Sequence, residues 1–202
     1  MPDFDLEAAD WDAVPGRIER ANAVAAAIRE QVPLSRKLKA FEYGCGTGLL
    51  SFALQAELGQ ITLADSSTGM LKVLKEKIAA NGAGNMTPVQ LDLAVDRLPA
   101  ERFDLLYTLM VLHHIPDTAK ILQAFHSLLV PGGVLCIADL DKEDGSFHAR
   151  EADFGGHNGF ERAELSRLLS GTGFVNIRFD TCFEMVKAGR SYPLFLAVAE
   201  KD

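Results

Sequence analysis

Glu42 and three glycines stand in the run Glu42-Tyr43-Gly44-Cys45-Gly46-Thr47-Gly48, an acidic residue followed by glycines at alternate positions. With no Cβ in the way, such a turn lets a ligand approach the backbone closely. It also aims the free N–H groups of the next helix at that ligand. Leu49 follows, so the spacing is GxGxG and the dinucleotide fingerprint GxGxxG is not met. Glu42 suits a ligand with a cationic end better than a pyrophosphate. Asp65 lies 21 residues past Gly44. A carboxylate there, at the tip of a second strand, is the usual acceptor for the two hydroxyls of a ribose. The structural use of such a residue is a helix cap, but Ser66, Ser67 and Thr68 already supply caps.

Four histidines, His113, His114, His148 and His157, fall near the ends of the fourth and fifth apolar runs. A neutral imidazole near its reference pKa can accept a proton there. His113 and His114 precede Pro116 and read as a structural turn. His157, between Gly156 and Asn158 and close to Phe154 and Phe160, is the candidate for a substrate pocket and for catalysis. Asp139, Asp141, Glu143 and Asp144 have the chemistry of a hard-metal site, but they read as a solvated acidic loop. Cys45, Cys136 and Cys182 are odd in number and form no CxxC pair. That argues against a disulfide framework or a zinc site and for a reduced, cytoplasmic setting. Cys45 reads as a packing residue of the loop, since no histidine or basic residue adjoins it in sequence.

These groups need elements to hold them. Ile18, Ala21, Val24, Ala25, Ile28 and Val32 recur at helical spacing, giving a helix that Pro15 opens and that runs to about Gln31. A second helix begins at Leu49 and ends near Gly59, followed by a buried strand at Ile61-Thr62-Leu63-Ala64. Met70, Leu71, Leu74 and Ile78 mark a helix closed by Asn81-Gly82. Pro88-Val89-Gln90-Leu91 leads to Asp92, and residues 103–109 form a fourth strand. A helix over 117–129 turns at Pro131-Gly132-Gly133 into a strand from Val134 to Asp139. A helix over 161–170 and two strands, 174–186 and 192–199, complete the chain, with Lys187-Ala188-Gly189-Arg190 as the turn between them. Alternating strands and helices imply a parallel sheet covered on both faces. Residues 1–14 are acidic and poorly periodic, and Trp11 either packs on the core or belongs to a lid. The stretch 140–160 is long, polar and rich in glycine, and a connection of that length in a compact domain is often functional.

At 202 residues, 48% hydrophobic and 24% charged, the chain reads as a single soluble globular domain, 1–202. The formal net charge of -8 gives no electrostatic footprint for nucleic acid. No apolar run approaches the ~20 residues of a membrane span, and Met1-Pro2-Asp3-Phe4-Asp5 is unlike a signal peptide.

The glycine run with Glu42, then Asp65, Asp92-Leu93 and the Thr108 region occur in an order that resembles the class I S-adenosylmethionine (SAM)-dependent methyltransferases, over about residues 15–200. Met110-Val111-Leu112-His113-His114-Ile115-Pro116 resembles the form carried by small-molecule enzymes of the ubiquinone-biosynthesis type. The resemblance implies a doubly wound, Rossmann-like α/β sheet of seven strands, order 3-2-1-4-5-7-6, with strand 7 antiparallel. It implies SAM as cofactor and S-adenosylhomocysteine as product, held in the crevice between strands 1 and 4. Carried over residue by residue, it implies cofactor contacts at Glu42, Tyr43, Gly44, Cys45, Gly46, Gly48, Asp65, Ser66, Met70, Asp92, Leu93 and Thr108. Asp92 would read the exocyclic amine of adenine and Met70 would lie against the ring. A helical segment or lid (1–38), a cofactor-binding half (39–140) and an acceptor side (141–202) follow from the same likeness. The fourth strand is not followed by Asn/Asp-Pro-Pro-Tyr/Phe, which disfavours amino-methylation of nucleic-acid bases. It has no aspartate where catechol-type enzymes place a magnesium ligand, so no metal is expected. The activity implied is in-line methyl transfer to a small-molecule acceptor. The alternative is a SAM-binding regulatory or partner protein without turnover, and a nicotinamide dehydrogenase is disfavoured by GxGxG and Glu42.

Overall fold

A computed structural model describes residues 4–149 and 154–202 of the chain, so the readings of 1–14 and 140–160 fall partly outside the described residues. Seven strands form one sheet: β1 (Lys39–Tyr43), β2 (Gln60–Asp65), β3 (Met86–Gln90), β4 (Phe103–Leu109), β5 (Leu129–Leu140), β6 (Phe174–Lys187) and β7 (Arg190–Lys201). Their order is β3-β2-β1-β4-β5-β7-β6. The first five strands pair in parallel, and β7 runs antiparallel to both β5 and β6. This is the topology expected from the sequence. The helices are α1 (Phe4–Glu7), α2 (Arg17–Gln31), α3 (Leu49–Leu54), α4 (Thr68–Asn81), α5 (Thr118–Leu128) and α6 (Arg162–Gly171), with 3-10 turns at Ala8–Ala13 and Leu112–His114.

Side chains alternate across the strands and feed two cores, one on each face of the sheet. Ala40, Leu63, Leu105 and Tyr107 pack against Val24 and Ile28 of α2, Leu50 and Leu54 of α3, and Leu71 and Leu74 of α4. Phe41, Tyr43, Leu106 and Ile137 pack against Leu122 and Phe125 of α5 and Leu165 and Leu169 of α6. Each fully buried Leu, Ile or Phe contributes about 1.5–3 kcal/mol, so packing on the sheet rather than intrinsic propensity holds these short helices. Chain order reverses where β1 lies between β2 and β4, and a crevice opens at the carboxyl ends of such strands.

Several boundaries depart from the sequence reading. The helix after the glycine loop ends at Leu54 rather than near Gly59, because Gln55–Glu57 turn the chain down into β2. β5 begins at Leu129, upstream of Pro131-Gly132-Gly133, and takes up those residues as an irregularity between the pairs Phe103/Leu129 and Leu105/Val134. The segment read as aperiodic holds α1 and the Ala8–Ala13 turn. Their anchors are polar side chains on distant elements, which hydrophobic periodicity does not register.

Candidate functional site

The glycine loop leaves β1 with Gly44, Gly46 and Gly48 all at positive φ (67°, 52° and 82°). Two of them serve packing: a Cβ on Gly44 would collide with Val111, and one on Gly48 would lie 2.6 Å from Leu74. Gly46 differs. A Cβ there would meet only the Trp11 Nε1 at 3.8 Å and the Met70 Sδ at 3.9 Å, so its missing side chain leaves room on the crevice side of the loop. Below the loop, Glu42 is 2% exposed and accepts a hydrogen bond from the Ser51 hydroxyl on α3, which also lies 2.7 Å from the Tyr107 hydroxyl. Burial, reinforced by the charge of Asp65, pushes the Glu42 carboxyl up to about 8. Cys45 is buried as well, and burial raises its thiol well above the ordinary range, as befits a packing residue.

Asp65 ends β2 facing that loop. Its Oδ2 accepts the Gly46 N–H at 2.7 Å and its Oδ1 accepts the Ser67 N–H at 2.8 Å. Two backbone donors thus fix the carboxylate at the crevice mouth with further lone pairs to offer. Ser66 beside it is exposed, and Met70, at the start of α4, is buried. Across the crevice the Asp92 Oδ1 accepts the Ala94 N–H at 2.8 Å. Tyr43 is a brace between β1 and this turn: its hydroxyl accepts the Leu93 N–H at 3.2 Å and donates to Asp92 at 3.4 Å. Thr108 is buried in β4, its hydroxyl without a hydrogen-bond partner among the described residues. Just beyond the strand, Met110 holds the left-handed backbone region (φ 58°), strained for a residue with a side chain.

Residues 4–13 are tied to the glycine loop and to α4 through two carboxylates that sequence reading left unassigned. Asp5 accepts hydrogen bonds from the Ser67 hydroxyl (2.5 Å) and the Gly69 N–H (2.8 Å), at the N-terminus of α4 where an anion is favoured. Asp12 accepts from the Thr47 hydroxyl (2.5 Å) and the Lys77 ammonium (2.6 Å), and Lys77 also donates to the Thr47 carbonyl (2.9 Å). Between these anchors Trp11 lies beside Gly46, with the Arg17 guanidinium 3.4 Å from its ring centroid.

At the ends of β4 and β5 the structure gathers histidines that are far apart in sequence. His113 Nδ1 lies 2.6 Å from Asp139 Oδ1, with 1% and 0% of the two side chains exposed. Burial alone would raise the Asp139 carboxyl, but His113 and the N–H groups of Leu140 and His113 outweigh it and hold it below its ordinary value. Asp139 is therefore part of a buried hydrogen-bonded group and not of a solvated acidic loop. Its three neighbours in that reading behave differently: Asp141 pairs with Arg162, Asp144 pairs with Arg190, and Glu143 accepts the Phe147 N–H. His114 and His148 join His113, and one ring nitrogen from each lies within 4.8 Å of the others. Burial and the neighbouring imidazoles push His114 down to about 3, so it stays neutral. Arg20 of α2 is mostly buried nearby; among the described residues its Nε has no hydrogen-bond partner, its Nη1 lies 3.2 Å from the Met185 sulfur, and Asp139 partly offsets its charge.

His157 does not join this group. Its Nε2 lies 3.0 Å from the Ile115 carbonyl, 3.2 Å from that of Pro116 and 3.1 Å from the Thr118 hydroxyl, so it donates a proton to a turn instead of accepting one from a substrate. It borders a separate cleft of about 540 Å³ between the start of α5 and α6, away from the glycine loop. The sequence candidate for catalysis is thus a staple of the 154–160 loop, whose close approach needs Gly156: a Cβ there would strike the His113 carbonyl.

Comparison with known proteins agrees with this geometry. Residues 41–135 match the model of a methyltransferase domain. The chain is 32% identical over 123 residues to a ubiquinone biosynthesis O-methyltransferase of Marinobacter nauticus, covering 59% of this chain and 51% of that protein. It is 33% identical over 113 residues to a ubiquinone/menaquinone biosynthesis C-methyltransferase of Pseudoalteromonas translucida, covering 54% and 45%. The chain spans about half the length of the curated relatives it matches. Among solved structures, phosphoethanolamine N-methyltransferase 2 of Haemonchus contortus, in complex with S-adenosylmethionine, superposes with a TM-score of 0.76 at 16% identity, over 100% of this chain and 60% of that one. The [4+2]-cyclase SpnF superposes with a TM-score of 0.73 at 15% identity, over 89% and 80%. The matched segment 41–135, the strand order and these likenesses point the same way: the chain carries a stretch similar to a methyltransferase domain, on the fold that solved methyltransferases share.

Proposed function

We propose that this chain transfers the methyl group of S-adenosylmethionine to a small-molecule acceptor. The observation that carries the reading is the crevice at β1 and β4, where Gly46 leaves room beside Asp65 and Met70 under a cover formed by Trp11. Those residues fit the cofactor: Asp65 for the ribose hydroxyls, Asp92 and Met70 for the adenine, Glu42 beneath the loop for the cationic end, with Gly44, Cys45, Gly46 and Gly48 as backbone wall. Bound S-adenosylmethionine supplies a methyl group on a positively charged sulfur, a leaving group that needs no metal to activate it. The chain's own task is to position and desolvate two reactants, which can lower a barrier by roughly 7–11 kcal/mol. The N-terminal cover excludes water from the loop side. Met110, Phe147, Tyr192 and the histidines at the β4 and β5 ends wall the acceptor side, and Arg20 there offers a buried cation to an acidic acceptor.

The acidic surface, with a net charge of -8, supports a small acceptor over nucleic acid. The O- and C-methyltransferase names of the relatives support a hydroxylated or quinol-like aromatic acceptor. A cytoplasmic setting agrees with three free cysteines and with the finding that no helix among the described residues is long and apolar enough to cross a membrane. The test is formation of S-adenosylhomocysteine with a panel of hydroxylated aromatic acids and quinols. Acceptor-dependent product supports the reading. Tight S-adenosylhomocysteine binding with no turnover on any of them would favour the partner-protein alternative.

A further inference from the structure

We propose that His113, His114 and His148 form a binding site for a borderline divalent cation of the zinc type. One nitrogen from each ring lies within 4.8 Å of the other two. Three imidazoles around zinc, at Zn–N distances of 2.0–2.1 Å, stand roughly 3.4 Å from one another, so small side-chain rotations would close the set. Two independent observations aim the group at a cation. First, His113 is buried and its Nδ1 lies 2.6 Å from Asp139 Oδ1, the geometry of an Nδ1–H donating to the carboxylate. That fixes the tautomer, leaving a bare lone pair on Nε2, and this atom is buried with no hydrogen-bond partner among the described residues. Second, the buried Nδ1 of His114 also lacks a partner. Leaving such ring nitrogens buried and unpaired is unfavourable, and ligation of a cation removes that cost.

The outer groups have the form metal sites need. A carboxylate behind a ligating histidine orients the ring and raises its basicity, and Asp139 does this for His113. Phe154 stacks on His148 at 3.8 Å between centroids, and Phe147 packs edge-on at 4.8 Å from His148 and 6.3 Å from His113. These contacts make an apolar shell. Neutral imidazoles select zinc, cobalt, nickel or copper over magnesium or calcium. Three protein ligands leave a fourth position for water or for an oxygen of the acceptor. The inference goes beyond methyl transfer and does not depend on it, since no residue of the glycine loop takes part. It replaces the metal-free expectation on the acceptor side only.

The test is titration of the whole chain with Co2+ alone, followed by its visible d–d absorption, with Zn2+ as competitor. The expected result is one Co2+ per chain with the intense spectrum of a four-coordinate ion, displaced by Zn2+. His148→Ala and His114→Ala should each weaken binding at least about tenfold, and Asp139→Asn roughly 10- to 100-fold. Binding of S-adenosylhomocysteine, measured on the same variants, shows that they are folded and separates this site from the cofactor crevice. A wild-type chain that binds S-adenosylhomocysteine but takes up no more Co2+ than the His114→Ala/His148→Ala double variant would overturn the proposal. So would uptake that neither single substitution reduces.

Discussion

Asp65 and Glu42 divide the cofactor end of the site by environment. Asp65 is held open at a strand tip by two backbone donors, whereas Glu42 is enclosed under the loop and tied to Ser51. Asp65→Ala should therefore weaken S-adenosylhomocysteine binding by about 1–3 kcal/mol, roughly 5- to 150-fold in Kd, measured by calorimetry. An unchanged Kd would remove Asp65 from the ribose site. Glu42 makes a prediction in pH. Burial holds its carboxyl at about 8 against an ordinary 4.5, so the folded chain keeps a proton that the unfolded chain releases. Stability of the ligand-free protein then falls as pH rises between those values, and the slope is lost in Glu42→Gln. A denaturation series from pH 5 to pH 8 reads this directly. The same group predicts that a cationic ligand end expels the Glu42 proton. Calorimetry near pH 7 in buffers of different ionisation enthalpy should show proton release in the wild type and a smaller release in Glu42→Gln.

Among the elements, the N-terminal segment makes the strongest dynamic claim. α1 and the turn after it have little buried apolar surface of their own and are held by Asp5 on the start of α4 and Asp12 on Thr47 and Lys77. Few apolar contacts and polar anchors mark a unit that opens below the global unfolding free energy. Asp5→Ala/Asp12→Ala should accelerate proteolytic cleavage of the first residues and speed S-adenosylhomocysteine dissociation in stopped flow, with the far-UV spectrum preserved. Equal dissociation rates in variant and wild type would show that the segment packs on the core without gating the crevice. α2 connects the two ends of the site: it follows the cover and places Arg20 beside Asp139 and Met185. Arg20→Met is expected to raise KM for an acidic acceptor while leaving S-adenosylhomocysteine affinity unchanged, a split that steady-state kinetics and calorimetry can read.

For the whole molecule, the alternation of strands and helices and the positions of Asp65, Asp92 and the glycine turn were legible in local periodicity or in the residue ending a run, whereas the strand order and the antiparallel seventh strand followed from the family resemblance. What was not legible depends on contacts between distant segments. His113 with Asp139, Asp12 with Lys77 and Asp5 with α4 are separated by 26, 65 and more than 60 residues, and only the crossover topology brings them together. For the same reason His157 looked more available than it is: its partners are carbonyls at 115 and 116, invisible until the loop folds back on them. Ligand binding should register in the fold as a whole. At about 100 times its Kd a ligand specific for the native state adds about 2.7 kcal/mol, a rise in Tm on the order of 5–10 °C for a domain of this size. The most direct measurement is therefore calorimetric titration of the wild-type chain and of Asp65→Ala with S-adenosylhomocysteine, with NAD as the control. Micromolar binding of S-adenosylhomocysteine, weakened in the variant, with no NAD binding, is the predicted result. Binding of neither ligand, or of NAD in preference, would contradict the assignment of the crevice.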